Sequence, residues 1–170
     1  MTGPVAAVEV DARDPAWVAQ CPDAERLARA AARLALGCGM RAVGIAPRTR
    51  FELSVVLTGD AEQRRLNRDW RGIDRSTNVL AFPAWNPDAP GPPDAPMLLG
   101  DVVLAFETVV REAEEQQITL ADHLAHLIVH GVLHLLGYDH QTDAAAAAME
   151  TEETFILASL GVADPYRGTM

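Results

Sequence analysis

His130, His134 and His140 stand in the run His130-Gly131-Val132-Leu133-His134-Leu135-Leu136-Gly137-Tyr138-Asp139-His140. Their spacing lets three imidazoles close around one metal ion. Four residues separate the first two, so on a helix they share a face with Cβ atoms about 5–6 Å apart. Gly137 follows as a left-handed helix stop that turns the chain back, and His140 beyond it brings a third nitrogen. Three protein nitrogens with one open position describe a catalytic Zn2+ centre, one ion per chain, better than a structural one. Nickel and iron also suit imidazole ligands, so zinc is a default and not a deduction. The segment is otherwise apolar, and three unliganded imidazoles buried there would leave donors and acceptors to satisfy. His126 lies on the same stripe and reads either as a support for the ligands or as a packing residue. Asp139 reads equally as a proton-handling group and as a turn former with local hydrogen bonds.

The spacing His-x3-His-x2-Gly-x2-His resembles that of the metzincin zinc proteases, with one departure. Gly131 occupies the position at which those enzymes carry a glutamate base, which leaves the helix without a base for peptide hydrolysis. A second group with chemical capacity is Arg68, Arg71 and Arg75. Guanidinium forks bind phosphate oxygens in pairs, and a helix-end loop can project them into a cleft.

These groups need elements to hold them. Weak strand character at Val5–Val10 precedes a helix opened by Pro22, with Leu27, Ala31 and Leu34 on one side and an end at Gly37. Phe51–Leu57 reads as a strand. Asp60 caps a helix through Trp70, in which Leu66 and Trp70 face inward. Asn78–Phe82 reads as a strand, and the proline-rich stretch Pro83–Pro96 as a loop inside the domain. Leu98–Leu104 is a strand interrupted at Gly100-Asp101, and Glu107–Gln116 is helical. Thr119 and Asp122 resemble a capping box opening the histidine helix, which is apolar nearly all round and therefore central. Thr142 or Asp143 caps a last helix that runs to Leu160 and stops at Gly161. Interspersed strands and helices predict an α+β fold over residues 1–170, one domain with a mixed β-sheet, packed helices and a central histidine-bearing helix.

At 170 residues the chain can bury a real core without staples. The N-terminus has no signal-peptide pattern and no apolar run spans a bilayer, so a cytoplasmic, membrane-free protein with reduced Cys21 and Cys38 is expected. The net charge of −10 argues against a general nucleic-acid coat. Charge is unevenly spread, however. Residues 41–75 hold eight arginines against five acids, while residues 88–160 hold thirteen acids against Arg111 alone.

The run from His126 to His140 resembles the signature of the YbeY family of bacterial rRNA maturation factors. Leu66-Asn67, Trp70-Arg71-Gly72, Ser76-Thr77-Asn78-Val79-Leu80-Ala81-Phe82-Pro83, Leu99-Gly100-Asp101 and Asp164-Pro165-Tyr166 are similar to its other motifs. The likeness spans roughly Val5 to Tyr166. Trp70 stands where tyrosine is usual, Ala81 where serine is usual, and Arg75-Ser76 where Lys-Pro is common. The resemblance implies a zinc-dependent single-strand endoribonuclease acting in 16S rRNA 3′-end maturation and ribosome quality control, with rRNA and ribosomal proteins as partners. By motif position it makes His130, His134 and His140 the zinc ligands and Arg71 the catalytic arginine. Metal-bound water and the RNA 2′-hydroxyl are both open as nucleophile. Two rival readings are a metal-dependent peptide or amide hydrolase, from the metzincin spacing, and a non-catalytic ribosome assembly factor with a structural metal, from the acidic segment.

Overall fold

The structure is a computed structural model that describes residues 7–46, 49–86, 88 and 95–166. Half of the proline-rich stretch Pro83–Pro96 lies outside the described residues, as does the start of the first expected strand. In chain order the described elements are β1 (Ala7–Ala12), α1 (Ala16–Gln20), α2 (Ala24–Val43), β2 (Phe51–Thr58) and α3 (Asp60–Arg71). There follow β3 (Val79–Pro83), β4 (Met97–Ala105), α4 (Phe106–Gln116), α5 (Leu120–Leu135) and α6 (Asp143–Ser159). The strands form one sheet in the order β1-β2-β4-β3, with β1, β2 and β4 parallel and β3 antiparallel at the edge. The α+β expectation and its mixed sheet hold.

Side chains alternate across the strands and so divide the protein into two apolar layers. Val55, Leu57, Val102 and Leu104 join the large core with α2 and α5. Val56, Leu80 and Val103 point the other way, where Leu66 of α3 and Phe82 pack on them. Among the described residues no single helix is long and apolar enough to cross a membrane. Cys21 and Cys38 are free and buried.

Three local expectations change. The helix expected to stop at Gly37 runs on to Val43 and ends at Gly44 in the left-handed conformation. The buried stripe continues past Gly37 through Cys38, Gly39 and Met40, and at Gly39 an added Cβ would meet Leu136 at 2.6 Å and Leu133 at 3.0 Å, so the extension is packed closely against the end of α5. Asp60 is the first residue of α3, after Gly59 as N-cap, and its carboxylate accepts from the Thr108 amide (3.1 Å) and hydroxyl (2.8 Å). Trp70 does not face inward. The indole is 78% exposed, because α3 overshoots its apolar support after Leu66. The inward positions of α3 are instead Gln63 and Asn67, both buried.

Thr119 does cap α5, its hydroxyl accepting from the Asp122 amide at 3.0 Å. Thr142 caps α6 in the same way through Ala145. Helix α5 lies very close to the sheet. A Cβ on Gly131 would stand 2.7 Å from Val102 Cγ1 of β4, so only glycine permits this approach.

Candidate metal centre and active-site pocket

Helix α5 presents His126, His130 and His134 along one stripe, and Gly137, at φ 106°, turns the chain so that His140 returns beside the last two. The imidazole centroids of His130, His134 and His140 lie 5.5–5.9 Å apart. One nitrogen from each falls within 4.8 Å of the others, a set that can hold a metal ion. The second nitrogens decide which atoms face the cavity. His130 Nδ1 donates to Glu153 Oε1 at 2.5 Å, and His134 Nδ1 donates to the Tyr138 carbonyl at 2.6 Å. Because both partners only accept, each ring keeps its proton on Nδ1 and offers the Nε2 lone pair. The donor set therefore fits a borderline divalent cation such as zinc.

Glu153 was not anticipated from sequence. It sits on α6 with no exposed surface, between Met149 and Ile156 on that helix's buried stripe. A carboxylate at a core position of an otherwise apolar stripe is the signal that could have found it. Its other oxygen, Oε2, lies 3.3 Å from His126 Nε2 and accepts from the Tyr166 hydroxyl. Burial opposes ionisation of this carboxyl, yet hydrogen bonds from His126, His130 and Tyr166 hold its pKa at about 2. Burial first, and then the Glu153 carboxylate, push the Tyr166 phenol well above its ordinary value. Tyr166 is fixed in turn through Asp164, whose Oδ1 accepts from the Tyr166 amide (2.8 Å) and the Thr154 hydroxyl (3.3 Å).

His126 is thus engaged by Glu153 and stands outside the three-nitrogen set, which answers the question left open by its position on the stripe. Asp139 Oδ1 accepts from the Gln141 amide at 3.2 Å, so its local turn is real, and the residue also lines the pocket. His123, one turn earlier, is buried, and desolvation lowers its pKa despite Glu112 at 2.8 Å. Glu112 also accepts from Asn78 Nδ2 at 2.9 Å and so ties α4 and α5 to the start of β3.

The histidines open on a cavity of about 560 Å3 bordered by β3, the loop after α5, Tyr166 and Arg71. Arg71 comes from the last turn of α3, with its guanidinium 5.9 Å from the centre of the Phe82 ring. Two buried amides brace the loop that follows. Gln63 donates to the Val103 carbonyl (2.9 Å) and accepts from the Thr77 amide (2.8 Å), and Asn67 donates to the Arg75 carbonyl (2.9 Å). Of the three arginines singled out from sequence, Arg71 alone lines the pocket with the histidines. Gly131 also borders it, but its missing side chain would point at Val102, so the helix carries no carboxylate base there.

A family model described as "Endoribonuclease YbeY" matches residues 23–161. The chain is similar to a protein named endoribonuclease YbeY from Paramagnetospirillum magneticum, 54% identical over 160 residues and 94% of each chain. It is 50% identical to a protein of that name from Rhodospirillum rubrum over 159 residues, 92% of this chain and 80% of the relative. A third so named, from Bradyrhizobium, is 59% identical over 116 residues, 68% of this chain and 69% of the relative.

Proposed function

The chain belongs to the YbeY family of endoribonucleases, and from that premise we propose that it cuts single-stranded RNA at a zinc ion held by His130, His134 and His140. Its setting in this reading is 16S rRNA 3′-end maturation and ribosome quality control in the cytoplasm, with ribosomal proteins nearby. The observation that carries the reading is the convergence of three imidazole nitrogens within 4.8 Å of one another in a cavity that also contains Arg71. Nuclease family membership supports RNA as the polymer that enters.

A divalent ion in this site supplies Lewis acidity to a phosphodiester. The remaining work falls to the chain itself. Arg71, held by the last turn of α3 and steadied over Phe82, offers paired donors to phosphate oxygens and offsets the charge that grows on them during attack. Glu153 and the Tyr138 carbonyl fix the tautomers of His130 and His134 and so keep both Nε2 atoms turned to the cavity. Peptide hydrolysis fits less well, because Gly131 supplies no base and Val102 leaves no room for one.

Metal analysis of the purified protein, paired with a chelator-controlled assay on single-stranded RNA, tests this directly. Cleavage requires about one zinc per chain and disappears on chelation. Arg71→Ala lowers cleavage by about 100-fold or more, the scale seen when one transition-state donor is removed, while zinc content and melting temperature hold. Full cleavage by Arg71→Ala removes that residue from the mechanism. Peptidase activity lost on chelation, with RNA left intact, replaces the reading altogether.

A further inference from the structure

Two of the three tryptophans are used in packing: Trp17 is fully buried, and Trp85 stands edge-on to Phe51 with ring centres 5.3 Å apart. Trp70 is 78% exposed. It occupies the residue before Arg71, so its Cα lies about 3.8 Å from that of a side chain lining the histidine cavity. Successive residues on a helix diverge by roughly 100°, which sets the indole beside the guanidinium and not behind it.

The charges around Trp70 point to its ligand. Arg64 is paired with Asp74, Arg65 with Glu62, and Arg68 with Asp69. Among the described residues no carboxylate pairs with Arg71 or Arg75. A chain of net charge −10 has acids to spare, yet the guanidinium groups of Arg71, which directly follows Trp70, and of Arg75, three residues past Gly72, remain available to an external anion. An exposed aromatic side chain next in sequence to an unpaired arginine that lines the histidine cavity matches the pattern by which proteins hold single-stranded nucleic acid.

We propose that Trp70 is a stacking platform for an unpaired nucleobase of the RNA, one next to the phosphate held by Arg71. This rests on the nuclease reading above and deepens it. Every base has a π-face, so such a platform is tolerant of sequence. A base inside a duplex is already stacked and paired and cannot lie on the indole, so the same contact selects for single strands.

The test uses zinc-loaded protein and steady-state cleavage of a single-stranded oligoribonucleotide. Trp70→Ala raises KM about tenfold, within the range for loss of one base–aromatic stack, and affects KM more than kcat. Trp70→Phe recovers most of the loss and Trp70→Leu does not, which separates stacking from simple apolar contact. Moving one abasic site along the oligonucleotide finds a position at which wild type and Trp70→Ala become equal. An unchanged KM in Trp70→Ala, or rescue by leucine equal to that by phenylalanine, overturns the platform while leaving the nuclease intact. A wild-type protein that neither binds nor cuts RNA overturns both.

Discussion

At Glu153 a full negative charge is held without solvent, and its cost is offset by three donors, two of them imidazoles. Removing one acceptor strength there acts on His130 before it acts on anything else. Glu153→Gln keeps the volume but weakens the hold on the His130 Nδ1 proton, so zinc binds about 10–100-fold more weakly, as for other groups that orient metal ligands. Titration against a competing chelator measures it, and the melting temperature of metal-free protein gives the structural baseline. A variant that melts earlier but binds zinc as tightly would make Glu153 a folding residue only. The convergence of His130, His134 and His140 was legible from sequence, because an i,i+4 pair followed by a turn glycine is a local pattern. Glu153 and Tyr166 were not, since their meaning depends on which helix packs against which ring, and residue spacing does not encode that.

Helices and strands were located well wherever one face is apolar, as in β2, α5 and α6. The errors arose where tertiary packing overrode a local rule. Gly37 looks like a stop in a string, but α2 runs through it to Val43, and two residues on α5 needs the space at Gly39. Leu66 and Trp70 share a helical face, yet only the first packs on the layer of Val56, Leu80 and Val103, and the second stands in water. Gly131 is the element-scale consequence of α5 lying against β4. Gly131→Ala gains roughly 1 kcal/mol of helix propensity but forces a methyl to within 2.7 Å of Val102 Cγ1. Val102 is fully buried and branched at Cβ, so overpacking of about 1–3 kcal/mol prevails. Net destabilisation by denaturant unfolding is the expected outcome, and it shrinks in the double variant with Val102→Ala because the two sites share one contact. Unchanged or increased stability in Gly131→Ala would show that the helix can lift off the sheet freely.

Across the whole molecule, charge is segregated. On the sheet, Glu9, Ser54 and Asp101 stand side by side in register across β1, β2 and β4, and burial raises the Asp101 pKa. Asp101 pairs in register with Phe82, the ring beneath Arg71, so this row of side chains lies on the same sheet face as α3 and its arginines. Metal binding is also a property of the whole, since the three histidines converge only in the folded chain. Zinc at about 1,000 times its dissociation constant contributes roughly 4 kcal/mol to folding, which for this size raises Tm by about 10 °C. Scanning fluorimetry with and without chelator reads the difference, and identical melting curves would mean that the folded chain has no preference for the ion. The three histidines come from an eleven-residue stretch, 130–140, which also supplies the Tyr138 carbonyl that orients His134, whereas the carboxylate that orients His130 comes from α6 and is braced by Tyr166. A copy clipped ahead of α6 keeps the three histidines but loses the Glu153 carboxylate that orients His130. The contact that aims the ring in the intact fold is therefore expected to make metal affinity fall with any damage that frees α6.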